Sequence, residues 1–264
     1  ASIYETPMKL GKAAAFAVSQ SGASPDIVAM ARGARDGGAT TVSLVNTLPS
    51  PLADAATFAI DIKAGPEIAV AATKSFVNSI VAGLAILASW SRDDALTRAV
   101  DSLPEHFDKA LALDWSALLE PLKSADSLYM LGRGPALAIA AEAALKCKET
   151  CELHAEAYSS AEVLHGPVSI VGRDFPVVAF AARDKAEASI AGTVSKLAAS
   201  NATCFITSDQ ATAGHKLPFI ATGHPITDAL ALIVPYYGFI ESLSRARGFN
   251  PDKPLALKKV TETQ

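Results

Sequence analysis

Short apolar runs alternate with longer stretches of helical period along this chain. That alternation predicts a parallel sheet with helices on both faces. Residues 13–18 predict a buried strand, 25–35 a helix stopped by Gly37-Gly38, 40–45 a second strand and 57–62 a third. A long apolar helix is expected over 73–90, another over 95–111, and a short one over 115–122. The pattern then starts again. Residues 127–131 predict a strand that runs into Gly132-Arg133-Gly134, and 135–151 a helix. Strands follow at 176–181, 203–207 and 218–221, with a helix at 186–199 and a long final helix at 226–247.

The two halves can be laid over each other. Phe16-Ala17-Val18 aligns with Val178-Ala179-Phe180, Thr41-Val42-Ser43-Leu44 with Thr203-Cys204-Phe205-Ile206, and Phe58-Ala59-Ile60 with Phe219-Ile220-Ala221. The fold class expected is therefore α/β, with two doubly wound βαβ lobes born of an internal duplication. The division expected is 1–112 for the first domain, 113–249 for the second and 250–264 for a tail. The second half opens with a strand–loop–helix unit, 127–151, that the first half lacks. A sheet without that strand leaves an apolar edge unpaired. The expectation is a first lobe that is N-terminally incomplete in this sequence; a lobe covered by a partner subunit is the less favoured alternative.

Composition narrows the partners. Lys and Arg number 23 against 27 Asp and Glu, and aromatics are 6% of the chain. No basic stripe or stacking platform for nucleic acid is visible, so a small molecule is the expected ligand. Three cysteines do not make a disulfide framework, and Cys147 and Cys151, four apart on a helix, read as structural. No signal peptide and no uninterrupted apolar run of about 18 residues is seen, so a soluble, cytoplasmic protein is expected.

Four segments hold candidate chemistry. Ser19-Gln20-Ser21-Gly22-Ala23-Ser24-Pro25 joins a strand to a helix, with Ser24 suited to the N-cap and Pro25 to the first helical position. Hydroxyls and backbone N–H groups at a helix N-terminus can hold a phosphate; an ordinary polar turn is the equally weighted alternative. Thr73, at the start of the long helix, can add a hydroxyl, although a plain helix cap is the favoured reading there. Glu142, Lys146 and Glu149 share one helix face. A carboxylate beside an ammonium can shuttle protons between adjacent carbons, but a solvated, salt-bridged face is the commoner outcome. His154 and His165 flank several acids at a spacing that matches no metal motif.

Taken in order, Ser19-Gln20-Ser21-Gly22, Ala64-Gly65-Pro66-Glu67 with Thr73-Lys74-Ser75-Phe76, Ala144-Leu145-Lys146-Cys147-Lys148-Glu149, His154-Ala155-Glu156-Ala157-Tyr158, His165-Gly166-Pro167 and Lys258-Lys259-Val260-Thr261 resemble the tandem sugar isomerase (SIS) domains of the isomerase half of glucosamine-6-phosphate synthase. The resemblance implies phosphate binding by Ser19, Gln20, Ser21, Ser24 and Thr73, with Val70 and Ala72 lining the substrate. It further implies proton transfer between C1 and C2 by Glu149, charge stabilisation by Lys146, ring opening by His165 from a neighbouring subunit of a homodimer, and an approach of Lys258 to the carbonyl. No cofactor and no metal are implied. The chain departs from the family in lacking the Gly-Thr-Ser loop of the first lobe, a glutaminase domain and the serine usually found where Ala72 stands. The implied activity is phosphosugar isomerisation, with glucosamine 6-phosphate deamination to fructose 6-phosphate favoured. The alternatives are a non-catalytic sugar-phosphate-binding regulator, or ammonia-dependent glucosamine 6-phosphate synthesis with a separate ammonia source.

Overall fold

A computed structural model describes residues 6–254, 256, 257 and 259. The chain forms two compact units, Ala1–Ser91 with Leu255–Gln264, and Arg92–Pro254.

The first unit carries β1 (Ala14–Ser19), α1 (Pro25–Asp36), β2 (Thr40–Val45), α2 (Pro51–Ala55), β3 (Phe58–Asp61) and α3 (Lys74–Ser91). Its strands are parallel in the order β1-β2-β3. Ser19, Val45 and Asp61 are register partners at the C-terminal edge of the sheet, so every loop that follows a strand leaves from one side. Val28 and Ala31 of α1 pack with Leu52 and Ala55 of α2 to form the core on one face. The opposite face is only partly covered. Leu44 on the central strand is buried, but its in-register neighbours Val18 and Ile60 are 46% and 37% exposed, and Phe16 and Phe58 are 50% and 58% exposed. The strand expected to be buried at 13–18 is thus open on alternate residues, because the sheet is three strands wide and α3 makes contact with β2.

The second unit is fuller. α4 (Asp94–Asp101), α5 (Leu103–Leu111), a 3-10 turn (Ser116–Leu118) and α6 (Leu119–Lys123) lead into β4 (Ser127–Gly132), α7 (Pro135–Cys151) and β5 (His154–Ser159). After two 3-10 turns (Glu162–Leu164, Pro167–Ile170) come β6 (Pro176–Ala179), α8 (Glu187–Ala199), β7 (Thr203–Ile206), β8 (His215–Lys216), α9 (Pro225–Ala231) and α10 (Ile233–Ala246). All five strands are parallel, in the order β5-β4-β6-β7-β8. Phe180, the counterpart of exposed Val18, is fully buried here, with Trp115 and Tyr236 at 6.1 and 5.8 Å between ring centroids.

Several elements differ from expectation. The single helix at 95–111 breaks at Ser102, two residues before Pro104, whose missing N–H suits the first turn of a new helix. The resulting α5 packs on α9 and α10, so residues 92–112 lie in the second compact unit rather than ending the first. The final helix likewise divides at Leu232, shortly before Pro235. By length and composition Pro225–Ala246 is apolar enough to cross a membrane, but 72% of that window is buried in the fold. The strand expected at 218–221 is absent and β8 precedes it. Leu217 N–H makes the last bond to Ile206 (2.8 Å); Pro218 has no N–H to offer, and its carbonyl accepts from Trp115 Nε1 (2.9 Å). β5, which the pattern did not predict, is an edge strand that pairs residue by residue with β4.

Candidate functional site

The first unit contributes a loop built to present hydroxyls. Gly22 turns it with φ +64°, and a Cβ there would stand 2.4 Å from Ser50 Oγ, so only glycine fits. Leu52 N–H holds the Gly22 carbonyl at 2.9 Å. Ser19 Oγ accepts from Gly22 N–H (3.1 Å) and Ser21 Oγ from Ala23 N–H (3.2 Å). Each hydroxyl is fixed as an acceptor and keeps its own O–H to donate to an anion. Ser24 occupies the N-cap position of α1 in an extended conformation, yet its side chain makes no capping bond, contrary to the role its position suggests. Thr47 Oγ1 donates to the Gln20 carbonyl (3.3 Å), which ties the loop to the segment after β2.

The stretch from Ala64 to Thr73 lies at the same sheet edge. Asn46 fastens it twice, through Nδ2 to the Gly65 carbonyl (2.8 Å) and through Oδ1 from Ala64 N–H (2.9 Å). Glu67 closes it by accepting from Thr73 N–H (3.3 Å), Ser75 N–H (2.7 Å) and Ser75 Oγ (2.9 Å). A carboxylate therefore already satisfies the start of α3, and Thr73 has its hydroxyl, not its N–H, to offer a ligand. Val70 and Ala72 are half-buried on either side of buried Ala71. The Lys259 ammonium bonds the Ala69 carbonyl, so the tail reaches this stretch. Lys258 itself lies outside the described residues.

The second unit holds a charged cluster on α7. Lys146 Nζ lies 3.2 Å from Glu142 Oε1 and 2.5 Å from Glu149 Oε2. The side chains of Lys146, Glu142 and Glu149 are 4%, 6% and 21% exposed, so this is not the solvated face that charge spacing favours. Burial pushes the Glu142 carboxyl up, against the pull of Lys146 and of a hydrogen bond from Tyr237 Oη (2.9 Å). The cluster holds two carboxylates for one ammonium, and Glu149 is the acid that solvent or a ligand can reach.

His165 caps a 3-10 turn and is exposed. His154 pairs with Ser127 at the start of β5, and its Nδ1 lies 2.9 Å from Ser127 Oγ. The two histidines thus sit at opposite ends of that strand region. Among the described residues no three His, Cys, Asp or Glu side chains converge as metal ligands. Cys147 meets Tyr236 Oη at 3.1 Å, and burial drives its thiol up to about 12, which leaves it unreactive.

The loop after β6 is the duplicate of the serine loop and is built differently. Asp228, 1% exposed, accepts from Arg183 N–H (2.7 Å) and Thr222 N–H (2.9 Å), and Arg183 Nε stands 3.3 Å from it. The Arg183 guanidinium also lies 3.7 Å from the centre of the Phe219 ring. A carboxylate of the protein fills the second lobe's loop.

The family model for the SIS domain matches residues 12–89 and 121–216, which takes in the serine loop and the α7 cluster. The chain belongs to the SIS domain family. The glutamine–fructose-6-phosphate aminotransferase (isomerizing) of Sulfolobus acidocaldarius is 34% identical over 250 residues, 94% of this chain and 42% of the relative. This SIS chain thus spans less than half the length of that curated relative. A crystal structure of a protein from Silicibacter pomeroyi DSS-3, assigned as a phosphosugar isomerase, superposes with a TM-score of 0.91 at 51% identity, covering 96% of this chain and 77% of that one. Glucosamine-6-phosphate deaminase from Thermotoga maritima shares the fold, with a TM-score of 0.80 at 20% identity, covering 99% of this chain and 79% of that one.

Sequence reasoning missed Glu67, Asn46 and Tyr237 as parts of these sites. Glu67 lies in a motif the sequence displays, but its reach to Ser75, eight positions on, follows from no local capping pattern. Nothing in the sequence ties Tyr237 to Glu142, 95 positions away.

Proposed function

We propose that this SIS protein moves a proton between C1 and C2 of a hexose or hexosamine 6-phosphate, and that its reaction is the conversion of glucosamine 6-phosphate to fructose 6-phosphate and ammonia. The observation that carries this reading is the buried Glu142–Lys146–Glu149 cluster, which leaves one carboxylate accessible next to a fixed ammonium. An isomerase needs that pair: a base for the C2 proton and a cation for the oxygen that gains charge.

In this reading Ser19, Gln20, Ser21, Ser24 and Thr73 bind the phosphate, and Val70 and Ala72 line the sugar. His165 assists ring opening. Glu149 takes the proton from C2 of the open aldehyde and returns it to C1, while Lys146 stabilises the intermediate oxyanion. As C1 takes the proton, the C1 oxygen is protonated and the C2 amine gives up one proton, which leaves C1 a primary alcohol and C2 an imine; the imine adds water and expels ammonia, leaving the ketone. Lys258 approaches the carbonyl carbon. The active species is a soluble, cytoplasmic homodimer with shared sites. The names of the relatives support the sugar-phosphate substrate.

The test is solvent exchange. In deuterium oxide, exchange of the C2 proton of glucosamine 6-phosphate is followed by NMR together with ammonia release. Glu149→Gln is expected to lower the exchange rate by roughly 10²–10⁴, the range for loss of a general base. No exchange in the wild-type protein, or equal exchange in the variant, overturns the assignment.

A further inference from the structure

One member of the cluster, Glu142, and a tyrosine beside it, Tyr237, have no step assigned in the chemistry proposed above. Glu142 lies one turn before Lys146 on α7 and is buried at 7% exposure. Its Oε1 is shared between Lys146 Nζ at 3.2 Å and Tyr237 Oη at 2.9 Å. Tyr237 comes from α10, which packs along α7. The neighbouring Tyr236 already fastens these two helices, donating to the Ala143 carbonyl at 2.8 Å in a fully buried setting. The hydroxyl of Tyr237 goes instead to a carboxylate of the charged cluster.

We propose that Tyr237 and Glu142 act as a positioning pair for the proton-transfer step, holding the Lys146 ammonium so that one of its N–H bonds stays aimed at the substrate oxygen. The inference rests on the function proposed above. An ammonium has three donors. Glu142 and Glu149 take two, and fixing two directions on a tetrahedral nitrogen fixes the third. Tyr237 supplies a hydrogen bond that orients Glu142 and counters the upward push of burial on its carboxyl. Without that hydroxyl Glu142 is free to take up a proton or turn away. Lys146 then closes onto Glu149 as a one-to-one ion pair, which ties up the base and turns the ammonium from the oxyanion. Phosphate binding, made by other residues, is left intact.

Tyr237→Phe deletes only the hydroxyl, and Glu142→Gln keeps the shape while removing the charge. Each is expected to lower kcat for C2 exchange by roughly tenfold, the rate equivalent of one charge-assisted hydrogen bond, with KM within about twofold of wild type. The double variant should be no slower than the slower single, because both changes release the same lysine. Tyr236→Phe is the control for helix packing: it should lower Tm with kcat and KM near wild type. The pair is overturned if Tyr237→Phe keeps wild-type kcat, if the two rate losses multiply in the double variant, or if KM rises in step with the fall in kcat. Absence of exchange in the wild-type protein removes the proposed function and the pair together, whereas normal wild-type exchange with an unaffected Tyr237→Phe removes the pair alone.

Discussion

Replacing Lys146 by methionine tests how the charged cluster is held. The substitution preserves most of the stem and deletes the ammonium, leaving Glu142 and Glu149 without the cation that stands 3.2 and 2.5 Å from them. At an effective dielectric constant of about 20, those separations correspond to gross attractions of ~5 and ~7 kcal/mol. Most of that offsets the desolvation of three buried charges, so the net loss expected on removing the shared partner is about 3–5 kcal/mol. The loss must depend on pH. Burial already pushes the Glu142 carboxyl up, and removing Lys146 takes away a stabilising cation, which raises it further. A folded-state pKa above the unfolded value favours the folded protein at low pH, and that contribution disappears as pH rises through the folded pKa. Lys146→Met should therefore lose most stability at pH 8 and recover toward pH 5.5, by up to ~3 kcal/mol for one proton across that interval. Urea unfolding at the two pH values, followed by circular dichroism with m-values compared, measures it. An equal loss at both pH values would mean lost packing rather than unpaired charge, and no loss at either would mean that the cluster is not the electrostatic unit described.

Other outcomes follow from the serine loop and from the shared-site dimer proposed above. Ser21→Ala with Ser24→Ala should weaken sugar-phosphate binding in calorimetry more than it slows turnover of bound substrate, since these hydroxyls sit at the start of α1; unchanged affinity would reduce the loop to a turn. Gly22→Ala, which puts a Cβ 2.4 Å from Ser50 Oγ at φ +64°, should cost about 1–3 kcal/mol of stability by thermal or urea unfolding. His165→Ala and Lys258→Ala, each nearly inactive, should on subunit exchange regain about a quarter of wild-type activity if the sites are shared across the dimer. No recovery after exchange verified by mass spectrometry would place both residues in one subunit's site.

Much of the scaffold was legible because its strands are dense apolar runs between punctuating glycines and prolines. Thr40–Val45 and Pro135–Cys151 carry the bounds their patterns predict. β5 was missed because His-Ala-Glu-Ala-Tyr-Ser pairs at a sheet edge with small and polar residues, which carry little strand signal. Residues 218–221 look apolar enough for a strand, yet the decisive bond comes from Trp115, a hundred positions earlier. The serine loop was visible as a motif, whereas its stiffness depends on Ser50 and Leu52 behind Gly22. The charge spacing on α7 was equally visible, but charges at i, i+4 and i+7 look the same on a wet face and a dry one. Burial by α10 decides between them, and helix packing is a tertiary fact.

The carboxylate of Asp228 inside the second lobe's loop bears on counting. Duplicated lobes invite the assumption of duplicated binding, two ligands for each chain. Yet in the second lobe the loop that corresponds to the serine loop already faces a carboxylate, Asp228, anchored by two backbone N–H groups and by the Arg183 guanidinium. An incoming phosphate would have to evict a covalently tethered rival whose local concentration no free ligand matches. Saturation titrations with a sugar phosphate should therefore end at one equivalent per chain. On the proposed phosphate site, the duplication leaves one receptor and one lobe that answers its own charge.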